Sequence, residues 1–159
     1  MNSEVAVGGL LIEQGLTLVT AESCTGGLIA HRITNVPGSS AYYLGGFVTY
    51  ANEAKQAILG VRQETLLAYG AVSEQTAREM AEGARLKLGA DLGLSITGIC
   101  GPTGGTPTKP VGLTYIALAA ADTIRCERYV WQGDRLANKE QSAEAGLQLL
   151  QAYLRERGG

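Results

Sequence analysis

At 159 residues, with 45% apolar side chains and a formal net charge of −2, the chain is long enough for one domain around a hydrophobic core and too apolar for a disordered segment. Its pI of about 5.4 lacks the broad positive field of sequence-independent nucleic-acid binding, and no apolar run approaches the roughly 20 residues of a membrane helix. The apolar stretch from Val5 to Ile12 has neither a basic leader nor a cleavage site. A cytoplasmic protein with no nucleic-acid or membrane partner is therefore expected.

In chain order, residues from about Ser3 to Gln14 read as a helix closed by Gly15. "LTLVTA" then reads as a short buried strand and "GGLIAHRIT" as a helix, making a strand, turn, helix unit. After the loop "PGSS", "GGFVTY" resembles a second strand delivering Tyr50 at its end, with Asn52 as cap for a helix carrying Glu53 and Lys55. Ser73 caps a helix running to about Leu88, whose Ala77, Met80, Ala81 and Ala84 are spaced for one buried face. "LGLSIT" is a third strand, feeding the Gly/Pro-rich stretch from Gly98 to Pro110, whose length suits a functional loop better than a domain boundary.

"VGLTYIALAA" and "IRCERYVW" read as two more strands. The tail from about Leu136 to Arg155 reads as a helix with Ala143, Leu147, Leu150 and Leu154 on one face. Early alternation of helix and strand, with two adjacent strands late, predicts a single three-layer α/β/α domain with a mixed, mostly parallel sheet. Ligands of such sheets bind beyond the carboxyl ends of the strands, where Ser23, Tyr50 and Thr97 all fall.

Ser23, followed by Cys24, Thr25, Gly26 and Gly27, lies beside a helix start whose first N–H groups lack internal partners and suit an oxyanion or a phosphate. Either Ser23 or Thr25 is alternatively a plain cap, and Cys24 competes as nucleophile because a thiol at a helix start has a lowered pKa. A serine nucleophile needs a base. His31, the one histidine, lies eight residues after Ser23 and reads as a helix-face residue.

Lys55 is the better candidate, near a helix start where the macrodipole disfavours its charge. Bringing a lysine from about 10.4 to near 7 takes roughly 4 to 5 kcal/mol, however, and a helix terminus supplies only about 0.3 to 1. Desolvation or a second cation must do the rest; otherwise Lys55 is a solvated surface residue.

Gly98, Gly101, Gly104 and Gly105 let the loop backbone approach a ligand, though no Walker or dinucleotide spacing is present. Thr97 at its entry either hydrogen-bonds a catalytic amine or closes the strand. Arg135, beside Asp134 at the start of the last helix, is electrostatically out of place unless it meets an anionic substrate or pairs with its neighbour. Cys24, Cys100 and Cys126 are an odd count without C-x-x-C spacing, so neither a disulfide framework nor a metal site is expected. Two of them read as core residues, with Cys24 left in question.

Taken together, "TAESCTGG", "GFVTYANEAK", "GAVSEQTAREMA", "SITGICGPTGG", "KPVGLTYIAL" and "GDR" resemble, in order and over nearly the whole chain, the CinA C-terminal domain family. Its enzymatic members are nicotinamide-nucleotide amidases of the PncC type. There is no room here for the amino-terminal domain of fused CinA proteins, so the chain resembles the stand-alone form.

The resemblance implies hydrolysis of the carboxamide of nicotinamide mononucleotide to nicotinate mononucleotide and ammonia, without metal or organic cofactor. It implies Ser23 as nucleophile, Lys55 as base, and Tyr50 and Thr97 as supporting groups. N–H groups around Thr25, Gly26 and Gly27 would hold the oxyanion, Gly101, Gly104 and Gly105 would approach the ligand, and Arg135 with Lys139 would meet its phosphate. Lys139 stands where the family pattern has an arginine, which loses the bidentate fork; Cys100 stands where a small apolar residue is usual. A non-catalytic nucleotide- or partner-binding module, and an amidase acting on some other amide, are the competing readings. Apolar surface on the terminal helices leaves room for self-association into a homo-oligomer.

Overall fold

The computed structural model describes residues 1–159. The first helix, α1 (Ser3–Gln14), stops where Gly15 takes φ 66, a left-handed turn that lets the Gly15 and Leu16 N–H groups close on the carbonyls of Ile12 and Leu11. β1 (Leu18–Glu22) is buried at every position, as befits a central strand covered on both faces. There follow α2 (Leu28–Thr34), a 3₁₀ turn (Ser39–Ala41), β2 (Tyr43–Val48), α3 (Asn52–Leu59), α4 (Gln63–Tyr69) and α5 (Glu74–Leu88). β3 (Leu92–Gly98), β4 (Leu113–Ala119), β5 (Ile124–Val130) and the long α6 (Arg135–Gly158) complete the chain.

The five strands form one sheet in the order β2-β1-β3-β4-β5. β1 pairs in parallel with both β2 and β3, whereas β3–β4 and β4–β5 are antiparallel, so only β4 runs against the rest. Helices α1, α2 and α6 cover one face over a core that includes Leu11, Ile29, Leu94, Ile116 and Leu150. On the other face α5 packs its Met80 and Ala84 over Val19 and Ala21 of β1 and, farther along the sheet, lays Ala77 and Ala81 against Ala117 and Ala119. The expected stripes, Ala77/Met80/Ala81/Ala84 and Ala143/Leu147/Leu150/Leu154, are all fully buried.

Three local details depart from expectation. β2 begins at Tyr43 and ends before Tyr50, which lies in the connection to α3. Asn52 is the first residue of α3 rather than its cap; Ala51 holds that position and gives no side-chain bond. Helix α4, unanticipated, has seven residues of which only Thr65 and Leu66 are buried, too short a span for a 3.6-residue period to declare itself.

Candidate active site

The carboxyl ends of β1 and β3, together with the connection after β2, converge on one cavity of about 310 Å³. β1 ends with Glu22, a carboxylate only 1% exposed. It accepts the Thr25 hydroxyl at 2.6 Å and the N–H groups of Ile29 at 3.0 Å and Ala30 at 3.1 Å. The start of α2, expected from sequence to receive a substrate anion, thus already holds one from its own chain, and Thr25 is buried against that carboxylate.

Ser23 follows, its N–H fixed on the Ile96 carbonyl of β3 at 3.0 Å. Lys55 Nζ lies 3.1 Å from Ser23 Oγ and donates to the carbonyls of Thr49 at 2.9 Å and Tyr50 at 3.0 Å. The side chain is 1% exposed. Burial lowers its pKa from the ordinary 10.5, only partly opposed by Cys24. Lys55 N–H bonds to Ala51 O, which makes it the fourth residue of its helix; desolvation, rather than the helix terminus, does most to favour the neutral amine.

A neutral amine has two N–H bonds and one lone pair. In that form the two carbonyls accept the former and leave the lone pair for the Ser23 hydroxyl, whereas the charged amine donates its third N–H to Ser23 Oγ.

Thr97 lines the same cavity, but its hydroxyl donates to the Ala71 carbonyl at 2.8 Å rather than meeting the amine. Tyr50 and Arg135 reach across the mouth: Arg135 donates to the Tyr50 hydroxyl at 3.2 Å and to the Gly101 carbonyl at 2.7 Å. The Tyr50 side chain otherwise stands in solvent, 64% exposed. Gly101 and Gly104 line the cavity, whereas Gly105 does not and packs on Val111, whose N would lie 2.9 Å from any Cβ there.

Gly26, Gly27, Thr25 and Lys139 face a separate, neighbouring cavity of about 370 Å³ beside Leu136 and His31. The Gly26 N–H is moreover committed to Ser23 O at 3.1 Å, while those of Cys24 and Thr25 donate to no protein acceptor. The structure therefore brings together Ser23, Lys55, Tyr50, Thr97, Gly101, Gly104 and Arg135, and separates from them Thr25, Gly26, Gly27, Lys139 and Gly105. Of the cysteines, Cys24 and Cys100 are buried in the cavity wall and Cys126 is half-buried on β5.

Two buried polar residues that brace the candidate site were not singled out in the sequence. Glu22 is one. Asn138 is the other: buried on α6, it donates from Nδ2 to the Cys100 carbonyl at 3.0 Å and accepts the Gly133 N–H on Oδ1 at 3.0 Å. Its own carbonyl accepts the Ser142 hydroxyl at 2.7 Å, and that hydroxyl accepts Trp131 Nε1 at 2.9 Å. The available signal was the placing of Asn138 and Ser142, two polar residues at i, i+4, in line with the buried Ala145 and Leu149.

This fold has known counterparts. The model of the CinA C-terminal domain family matches residues 2–154, and the chain belongs to that family. It is 53% identical over 158 residues to the CinA-like protein of Chloroherpeton thalassium, a match covering 97% of this chain and 38% of the relative. It is 50% identical over 157 residues to the CinA-like protein of Chlorobium phaeobacteroides, covering 96% and 37%.

The chain thus spans less than two fifths of the length of these relatives. Among solved structures, a CinA superfamily protein of Klebsiella pneumoniae superposes with a TM-score of 0.92 at 34% identity, covering 98% of this chain and 99% of the other. A competence/damage inducible protein of Agrobacterium tumefaciens gives 0.90 at 40% identity, covering 96% and 95%.

Proposed function

We propose that this domain is an amidohydrolase that cleaves the carboxamide of nicotinamide mononucleotide to nicotinate mononucleotide and ammonia. The observation that carries the reading is the 3.1 Å contact between Ser23 Oγ and a buried Lys55 amine whose other partners are two carbonyls. Lys55 takes the hydroxyl proton as Ser23 attacks the amide carbon, and the free N–H of Cys24, a residue of the cavity wall, receives the oxyanion. Lys55 then returns the proton to the departing ammonia. Water hydrolyses the resulting ester by the same route in reverse.

Arg135 uses only part of its five-donor fork on Tyr50 and Gly101, leaving N–H groups for a substrate phosphate at the cavity mouth. The exposed Tyr50 ring offers a face to the cationic pyridinium. Thr97, tied to Ala71, shapes the wall rather than moving protons. The neighbouring cavity of Lys139 takes no part in this reaction.

Incubation with nicotinamide mononucleotide tests the reading: ammonia and nicotinate mononucleotide should form in equal amounts, and Ser23→Ala should reduce the rate by at least about 10³-fold in a folded protein. Binding without product would instead favour a nucleotide-recognition module. Activity that survives Ser23→Ala but not Cys24→Ala would reassign the nucleophile.

A further inference from the structure

The proposed hydrolysis gives no task to the thiols of Cys24 and Cys100, although both line the Ser23 cavity. They arrive from different segments, one on the turn after β1 and the other in the loop after β3, and Cys100 Sγ lies 3.8 Å from the Cys24 carbonyl oxygen. The missing side chain at Gly98 makes room for Cys24, whose Sγ would sit 3.2 Å from a Cβ there, just two positions before Cys100. Both segments are anchored: Ser23 N–H holds Ile96 O, while Asn138 and Arg135 hold the consecutive carbonyls of Cys100 and Gly101.

The pair is electrically uneven. Contact with the Cys24 thiol, and then Arg135 and Lys139, bring Cys100 down to about 7 against the opposing effect of burial. The same contact and burial raise Cys24 well above the ordinary thiol range. One sulfur is thus disposed to react as thiolate and the other to remain protonated beside it.

We infer that Cys100 and Cys24 are a peroxide-responsive modification site that closes into a disulfide across the cavity wall. The Cys100 thiolate attacks one oxygen of hydrogen peroxide; the O–O bond breaks, two electrons pass from sulfur to the peroxide, and Cys100 becomes a sulfenic acid as hydroxide departs. The Cys24 thiol then attacks that sulfur. The S–O bond breaks, the leaving hydroxyl takes the thiol proton as water, and the S–S bond forms.

A dithiol reductant returns both electrons and protons. The new bond ties the glycine loop to the Ser23 turn and narrows the space beside the nucleophile, so amide hydrolysis falls at least tenfold until reduction. That last consequence rests on the hydrolytic reading; formation of the bond does not. Cys126 is a bystander, packed toward Ala77 and Ala81 with its thiol pushed up to about 11 by burial.

The test uses the Cys126→Ser protein, which leaves two thiols, treated with one equivalent of hydrogen peroxide. Intact mass should fall by about 2 Da, the two hydrogens lost on disulfide formation. Digestion should yield a peptide joining residues 24 and 100, and dithiothreitol should restore two maleimide-reactive thiols. In the same background Cys100→Ala and Cys24→Ala should give no intramolecular link.

Two thiols that still react with maleimide after peroxide, or oxygen adducts on unlinked sulfurs, would overturn the proposal. A linked protein with undiminished turnover would overturn its regulatory half. If the reduced protein releases no ammonia, the mass and peptide readouts still decide the bond, and the hydrolytic reading alone fails.

Discussion

Lys55 has no carboxylate partner: its three hydrogen-bonding neighbours are two carbonyls and a hydroxyl, and its amine is buried. Burying such a group costs stability unless it gives up its proton. Lys55→Met should therefore lower kcat by about 10² to 10⁴-fold while leaving urea stability at pH 7 unchanged or higher.

Because burial lowers the folded-state pKa below the ordinary 10.5, the unfolded chain binds more protons between those two values. Native stability therefore rises with pH through that window and is weakest below it. The stability gap between Lys55→Met and the native protein should shrink as pH approaches 10.5, and kcat/KM should climb on the acid side with an apparent pKa below that value. A variant markedly less stable at pH 7, or a gap that widens with pH, would contradict this account. The sequence showed this lysine only as an energetic demand; its burial, which acts in the required direction, depends on the packing of α3 and has no signature in the local residues.

Among the elements, the turn from β1 into α2 depends on one carboxylate. Glu22→Ala would strand the Thr25 hydroxyl and two helical N–H groups in a buried place, at a cost of about 3 kcal/mol. Ser23 is adjacent, so activity should fall with stability, as chemical denaturation and the ammonia assay would register together. Ser73→Ala removes a plain N-cap bond to Thr76 N and should cost only about 1 kcal/mol by the same denaturation measurement.

This contrast also explains what the sequence made legible. Ser73, the paired apolar stripes on α5 and α6, and the strand runs rest on local periodicity and capping, which a linear pattern carries. Glu22 caps from within a strand, seven residues before Ile29, and such a reach is set by chain geometry rather than by a motif. α4 was lost for a different reason, having too few turns to show a face.

Across the whole molecule, the Ser23 cavity lies at one end of the sheet and a polar clasp at the other. There Asp91 accepts both the N–H and the hydroxyl of Thr17, at 2.8 and 2.9 Å, joining the entrances of β1 and β3. Asp91→Ala should reduce unfolding free energy by about 1 kcal/mol and leave kcat unchanged; a loss of turnover without unfolding would break this division.

Strand-end reasoning pointed to Ser23, Tyr50 and Thr97, and these three do line one cavity. It merged two cavities into one because it has no means of seeing which side of the first turn of α2 a residue faces. Gly26, Gly27 and Lys139 lie on the far side. Gly105 lies outside the Ser23 cavity and packs on Val111, and a glycine held by such a contact looks the same in sequence as one required by a ligand.

Asn138 has a mechanical corollary. One carboxamide grips the loop through Cys100 and the approach to α6 through Gly133, so the segment bearing Arg135 and the loop bearing Gly101 shift as a unit. A guest spanning both would find them already in register and would surrender little freedom in assembling them. Severing that grip should appear first as weaker capture of the guest, well before any slowing of its conversion.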